Sequence, residues 1–205
     1  EVCMNKSFLD AVAGRRSIYS LGKEKTISHE RVEEIVKTAV THVPSAFNSQ
    51  SSRTLLLFDE QSGDFWEIVK DSLKKIIPAA DFGKTAEKID SFNAGWGTVL
   101  FFEDQSTVQN LASQFPLYKE NFPVWSLQSN GMLEFAIWTA LENEGLGASL
   151  QHYNPLIDDA VKKRWNLDDN WKLLAQMPFG SVTSPPGDKD FLPIEQRLVI
   201  PPYKK

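Results

Sequence analysis

The segment SLQSNGMLEFAIWTALENE, residues 126–144, is the strongest constraint that the sequence places on a fold. Its pattern predicts a helix whose apolar residues nearly surround the helical axis: Met132, Leu133, Phe135, Ala136, Ile137, Ala140 and Leu141. Such a helix needs cover on more than one side, from a sheet, from other helices or from a second subunit. We therefore predict a central or interface helix, which ends at a glycine turn where Gly145 can adopt the left-handed cap.

Helical and strand patterns alternate irregularly along the rest of the chain. We predict helices at residues 5–14, 28–43, 63–77, 80–93 and 154–165, and strands at 53–58, 97–104 and 171–180. Ser28 is a suitable N-cap, and Pro44 ends the same helix. The strand RTLLLF that follows is predicted to be buried on both faces, and Asn154 with Pro155 are predicted to start the last helix. This order predicts an α+β fold, a mixed or antiparallel sheet flanked by helices on both sides, as one domain over residues 1–205.

Composition excludes several classes of protein. The net charge of −5 argues against a nucleic-acid partner, because phosphate binding requires a surplus of Lys and Arg. Cys3 is the one cysteine, so we expect no disulfide, no thiolate metal site and a cytoplasmic location. We see no apolar stretch long enough to span a membrane and no basic-then-apolar leader, so we expect no membrane partner. Glu1, Val2 and Cys3 precede Met4, and we expect them to derive from cloning.

The usual catalytic patterns are missing from the sequence. The three histidines lie far apart and show no metal-ligand spacing, and no GxSxG motif occurs to anchor a serine nucleophile. The segment GLGASL follows a helix, whereas a dinucleotide-binding glycine motif follows a strand. We therefore expect no metal site and no Rossmann-type site.

Short polar and basic segments remain as candidates for binding. They are RRS at residues 15–17, PSAFNSQSSR at 44–53, the glycine turn at 145–147, and the tail residues Lys189 and Arg197. Arg and Lys suit a phosphate group, and Asn and Gln match a ring edge with alternating carbonyl and N–H groups. Together they indicate a flat ligand with a phosphate at one end.

These segments resemble the nitroreductase family of FMN flavoproteins. That family has an Arg-Arg-Ser motif after a short helix (RRSIYSL here) and a helix that runs into Pro-Ser-Ser-x-Asn-x-Gln (PSAFNSQ here). An apolar strand, a long dimer-forming helix, EGLGAS and a C-terminal basic residue follow in the same order. The wording PSAFNSQSSR looks most like a compact branch linked to stress and fatty-acid responses.

The resemblance implies a three-layer sandwich, a homodimer, and FMN as cofactor with NADH or NADPH as electron donor. It implies no catalytic side chain, because the chemistry takes place on the flavin. The implied cofactor-binding residues fall into four groups: Arg15, Arg16, Ser17 and Tyr19; Ser45, Ala46, Asn48 and Gln50, partly from the partner subunit; Glu144, Gly145, Leu146 and Gly147; and Lys189 with Arg197. Tyr19, Ala46 and Phe191 depart from the family pattern, so the phosphate site is expected to be less basic unless Arg197 compensates.

The implied activity is reduction of nitroaromatic or quinone-like acceptors by ping-pong hydride transfer. Aromatic residues in a proline-containing segment without helical period are expected to form a loop that lines the substrate: Phe115, Tyr118, Phe122 and Trp125. Two alternatives stay open. One is a flavin-binding stress-response or regulatory protein with little turnover, and the other is a flavin-free interaction module.

Overall fold

The computed structural model describes residues 6–203. Its seven α-helices within that range are Phe8–Gly14 (α1), His29–His42 (α2), Asp59–Lys74 (α3), Phe82–Asn93 (α4), Gln105–Gln114 (α5), Asn121–Asn143 (α6) and Asp158–Trp165 (α7). The strands are Leu21–Gly22 (β1), Ser52–Phe58 (β2), Gly97–Asp104 (β3), Gly147–Ala148 (β4) and Trp171–Val182 (β5). The predicted cloning residues 1–3 and the predicted helix start at Asn5 lie outside the described residues.

The strands form one antiparallel sheet in the order β1-β5-β3-β2, and β4 also pairs with β5. β3 lies between the two longest partners, with Val99 opposite Met177 of β5 and Leu56 of β2. Every residue of β3 is buried. A single parallel bridge joins Ser17 to Ala148 and ties the segment after α1 to the sheet.

Helices cover both faces of the sheet. Successive side chains of β3 point to opposite faces, so alternate residues contact different helices. Val99 and Phe101 contact the cluster formed by α2 and α6, and Leu100 and Phe102 contact the cluster formed by α3, α4 and α7. The predicted α+β sandwich is therefore confirmed.

Local sequence accounts for the ends of the best-defined helices. The Ser28 hydroxyl accepts a hydrogen bond from the Arg31 amide at 3.2 Å and caps α2, as predicted. Asp104 caps α5 by accepting from the amides of Ser106 and Thr107, at 3.0 and 3.3 Å. After α6, Gly145 has φ of 81°, the predicted left-handed cap.

Three local predictions are wrong. The strand β2 is not buried on both faces, because it is the edge of the sheet and only Leu57 among its apolar residues is buried. The segment 115–125 is not all loop, because Pro116–Tyr118 form a 3-10 turn and α6 starts at Asn121. Pro155 does not start a helix, since α7 begins at Asp158.

Candidate active site

The first motif and the tail form one cleft of about 400 Å³, here called the Arg15 cleft. Its charged residues are Arg15, Arg16 and Lys189, against a single acid, Asp188. Ser17, Tyr19, Ser20 and the tail segment 184–187 complete the wall. The structure therefore brings together residues that lie about 170 positions apart in the sequence. Arg16 Nη2 donates a hydrogen bond to the Gly187 carbonyl oxygen at 2.7 Å.

Arg15 is held in place without an acidic partner. Its guanidinium carbon lies 4.3 Å from the ring centroid of Trp138 on α6, a cation–π contact. No salt bridge to Arg15 occurs within residues 6–203. Partial burial, and then the charge of Arg16, lower the pKa of the Arg15 guanidinium below its usual value. An anion in the cleft would offset both unfavourable effects, so the donor set fits a phosphate.

The glycine turn lies directly behind this motif. The Ile18 amide donates to the Ala148 carbonyl at 2.9 Å, and Ser17 bridges the same residue. A Cβ on Gly147 would come within 2.8 Å of Ile18 and 2.9 Å of Val182. Gly147 is thus required for packing between protein segments, whereas the space beside Gly145 is open.

The side chains of Glu144 and Leu146, which flank Gly145, contact other parts of the protein. The Glu144 carboxylate accepts from Arg31 at 2.9 Å from Nε and 2.5 Å from Nη2. The hydrogen bond from Arg31 to Glu144, followed by the one to Glu34, raises the pKa of that guanidinium. Leu146 belongs to the buried core on the α6 side. Any contact that Leu146 makes with a cofactor must come from its backbone.

The second motif forms a different cleft, the Gln50 cleft, of about 350 Å³. Ser45, Gln50 and Arg53 line it together with residues of α2 and α6, and it shares no lining residue with the Arg15 cleft. The Ser45 hydroxyl accepts from the Gln50 amide at 2.9 Å and closes the loop. Asn48 is exposed with φ of 50°, which is tolerated by asparagine.

A buried polar network supports the floor beside the Gln50 cleft. Ser52 donates to Glu103 Oε1 at 2.5 Å, and Asn130 donates to the same oxygen at 2.9 Å. Glu103 and Asn130 are almost fully buried, and Glu103 Oε2 and Asn130 Oδ1 lack a hydrogen-bond partner in the described part of the chain. Sequence reasoning missed this network, because an acid near the end of an apolar strand gives no hint of its partner.

The predicted substrate-lining residues form one aromatic cluster. Phe115 ends α5, Tyr118 lies in a 3-10 turn, and Phe122 and Trp125 lie on the first two turns of α6. The prediction of a loop fails for these last two, although the four rings do converge. They converge on Phe47, which occupies a variable position of the second motif.

Arg197 is not brought to the Arg15 cleft. It follows the 3-10 turn Ile194–Gln196 in an exposed part of the tail and is not among the lining residues. Lys189 does line the cleft, and its Nζ lies 5.2 Å from the ring centroid of Phe191, one of the departures from the family pattern.

Comparison with known proteins identifies the fold and the family. The family model described as Nitroreductase family matches residues 12–181. The chain belongs to the nitroreductase family. It is 30% identical over 188 residues to the nitroreductase FRM2 of Saccharomyces cerevisiae, covering 91% of this chain and 93% of the relative. The predicted family and enzyme class are thereby confirmed.

Solved structures agree with this family assignment. The nitroreductase CinD from Lactococcus lactis, in complex with chloramphenicol, is 47% identical, has a TM-score of 0.87, and the match covers 95% of this chain and 99% of that one. CinD has also been solved with 4-nitrophenol, at a TM-score of 0.86. A nitroreductase-fold protein from Desulfovibrio desulfuricans in complex with FMN has a TM-score of 0.70 at 18% identity, covering 97% of this chain and 99% of that one, and shows the fold alone. The FMN bound there is a property of that protein.

Two further results concern membrane spans and metal sites in residues 6–203. None of the helices in residues 6–203 is both long and apolar enough to cross a membrane. The same residues contain no cluster of three or more His, Cys, Asp or Glu side chains suited to a metal ion.

Proposed function

We propose that this chain is an FMN-dependent NAD(P)H oxidoreductase that reduces small electron-poor aromatic compounds, such as nitroaromatics and quinones. The observation that carries the proposal is the convergence of Arg15, Arg16 and Lys189 in one cleft, next to the glycine turn. Similarity to CinD, which has been solved with chloramphenicol and with 4-nitrophenol, supports the acceptor class.

The basic residues of the Arg15 cleft have distinct roles in this proposal. Arg15 and Lys189 would neutralise the FMN phosphate, and the hydroxyl of Ser17 would donate to it. Arg16 fastens the tail through the Gly187 carbonyl and so keeps Lys189 at the cleft. Trp138 on α6 holds the Arg15 guanidinium by a cation–π contact.

The polar groups of the second motif would hydrogen-bond the ring edge of the cofactor. Asn48 and Gln50 are exposed and carry both donors and acceptors. When bound, FMN supplies the chemistry of hydride transfer between a nicotinamide donor and an electron-poor acceptor. Donor and acceptor would use the same site in turn, which gives ping-pong kinetics. Because the flavin would supply this chemistry, hydride transfer needs no general base from the protein, which agrees with the scattered positions of the histidines.

A homodimer is part of the proposal because one chain holds the two motifs in separate clefts. A second chain can bring its Ser45–Gln50 segment to the Arg15 cleft of the first. Large apolar side chains are exposed along α1, α6 and the tail, as an interface requires: Phe8, Leu9, Leu127, Phe135, Phe191, Leu192, Val199 and Ile200. Sedimentation of the FMN-loaded protein tests this, and a stable monomer would contradict it.

Absorbance and turnover of the purified protein test the function directly. We expect a yellow protein that oxidises NADH or NADPH when a nitroaromatic acceptor is present. A protein that retains FMN without turnover would favour a regulatory role, and a protein that stays colourless after incubation with FMN would favour an interaction module. The single-domain organisation and the cytoplasmic location stay predictions.

A further inference from the structure

Phe47 has a backbone conformation that is rare for an aromatic residue. Its φ is 57° and its ψ is 22°, in the left-handed region that bulky side chains avoid. Asn48 and Gln50 also have positive φ, at 50° and 48°. Such a segment persists only when surrounding contacts determine it.

The contacts that determine it are aromatic. The Phe47 ring centroid lies 5.0 Å from Phe115, 5.8 Å from Tyr118 and 5.2 Å from Phe122. It lies 5.9 Å from Trp125, with an angle of 19° between the two ring planes. Phe47 thus joins the proposed cofactor loop to the end of α5 and the start of α6.

The same ring faces an open cavity. Phe47 is 49% exposed, and with Trp125 it forms one side of a cavity of about 340 Å³. Ala46, Met132, Gln128 and Ser129 form the rest. Because Ser129 already donates to the Trp125 carbonyl at 2.9 Å, Gln128 is the side chain with free donor and acceptor capacity.

We propose that Phe47 and Trp125 form the wall on which the aromatic ring of the acceptor stacks, with Gln128 placed to donate to a nitro or quinone oxygen. Electron-rich rings attract an electron-poor ring through opposite quadrupoles, and Met132 adds a polarisable thioether. The inference rests on the proposed function, and it makes Phe47 a specificity residue. Phe47 lies next to Asn48 in the loop, so the acceptor would lie beside the cofactor ring.

Calorimetric titration of the oxidised, FMN-loaded protein with 4-nitrophenol tests the proposal. Phe47→Leu should raise the Kd, and the KM for the same compound, roughly 3- to 10-fold, the loss of one stacking partner. Phe47→Tyr keeps the ring and should match the parent within about twofold. Leu117→Ala is the matched control. Leu117 lies in the 3-10 turn that carries Tyr118, is 92% exposed and does not line the cavity.

Three readouts distinguish this inference from the proposed function. FMN content and reduction of ferricyanide, which has no ring to stack, show whether Phe47→Leu still holds its cofactor. Failure of the parent protein to bind FMN or to turn over would overturn the proposed function. An active parent with unchanged 4-nitrophenol Kd and KM in Phe47→Leu would overturn this inference alone.

A loss of FMN in Phe47→Leu would mean that the loop itself collapses. Met132→Ala then decides, because Met132 lines the cavity from α6 and lies outside the loop. A weaker 4-nitrophenol Kd in Met132→Ala supports the proposed site, and an unchanged Kd overturns it.

Discussion

The indole of Trp138 lies against the guanidinium of Arg15, which is 4.3 Å from the ring centroid. α6 thus reaches from the buried core to the basic motif at the end of α1. Replacing Trp138 by Leu should weaken FMN binding roughly 3- to 10-fold, because Arg15 loses a cation–π contact. Quenching of flavin fluorescence measures the Kd. Trp138→Phe keeps an aromatic face and should lose less, and equal affinities in all three proteins would contradict this role.

Charge in the Arg15 cleft should act on the phosphate and not on the ring. Arg15→Met and Lys189→Met should each weaken FMN about 10- to 100-fold, the loss of charge-assisted hydrogen bonds to a phosphate. Riboflavin, which lacks the phosphate, should bind the variants and the parent alike. Arg197→Met is the control outside the cleft. Equal losses for FMN and riboflavin would show that these side chains do not contact the phosphate.

Glu103 offers a test of the buried network. Glu103→Gln keeps the shape and an acceptor oxygen for Ser52 and Asn130, and it removes the buried charge and the carboxylate oxygen Oε2, which has no hydrogen-bond partner in the described part of the chain. We expect the free energy of unfolding to rise by about 1 kcal/mol, measured by urea denaturation. Glu103→Met removes the charge and also the acceptor of Ser52 and Asn130, so it should be less stable than Glu103→Gln. The reverse order would contradict the account.

Glu134 on α6 should make stability depend on pH. Burial raises its pKa to about 7 from an ordinary value of 4.5. Between these two values the folded state binds more protons than the unfolded state, so stability should fall as the pH rises through this window. Thermal melting at pH 5 and pH 8 measures the effect. The drop in Tm should be smaller in Glu134→Gln than in the parent, and equal drops would contradict the assignment.

Short-range chemistry was sufficient to predict most elements and the family. The Ser28 cap, the Gly145 cap and the apolar run of β3 all depend on neighbouring residues, and the structure has all three. The predictions failed where contacts between residues far apart in the sequence determine the structure. Whether β2 is central or at the edge depends on which strands pair beside it. α5 packs on α6, and no local pattern indicates that contact.

The candidate site divides in the same way. Residue types and their order were enough to select Arg15, Gln50 and Lys189, because phosphate and ring-edge binding demand particular donors. The chain alone did not indicate that Phe47 would gather four distant rings, that Trp138 would lie on Arg15, or that the two motifs would line separate clefts. Such contacts arise only when the sheet brings α1, α6 and the tail together, since they join residues far apart in sequence and each pair contributes too little to leave a local pattern.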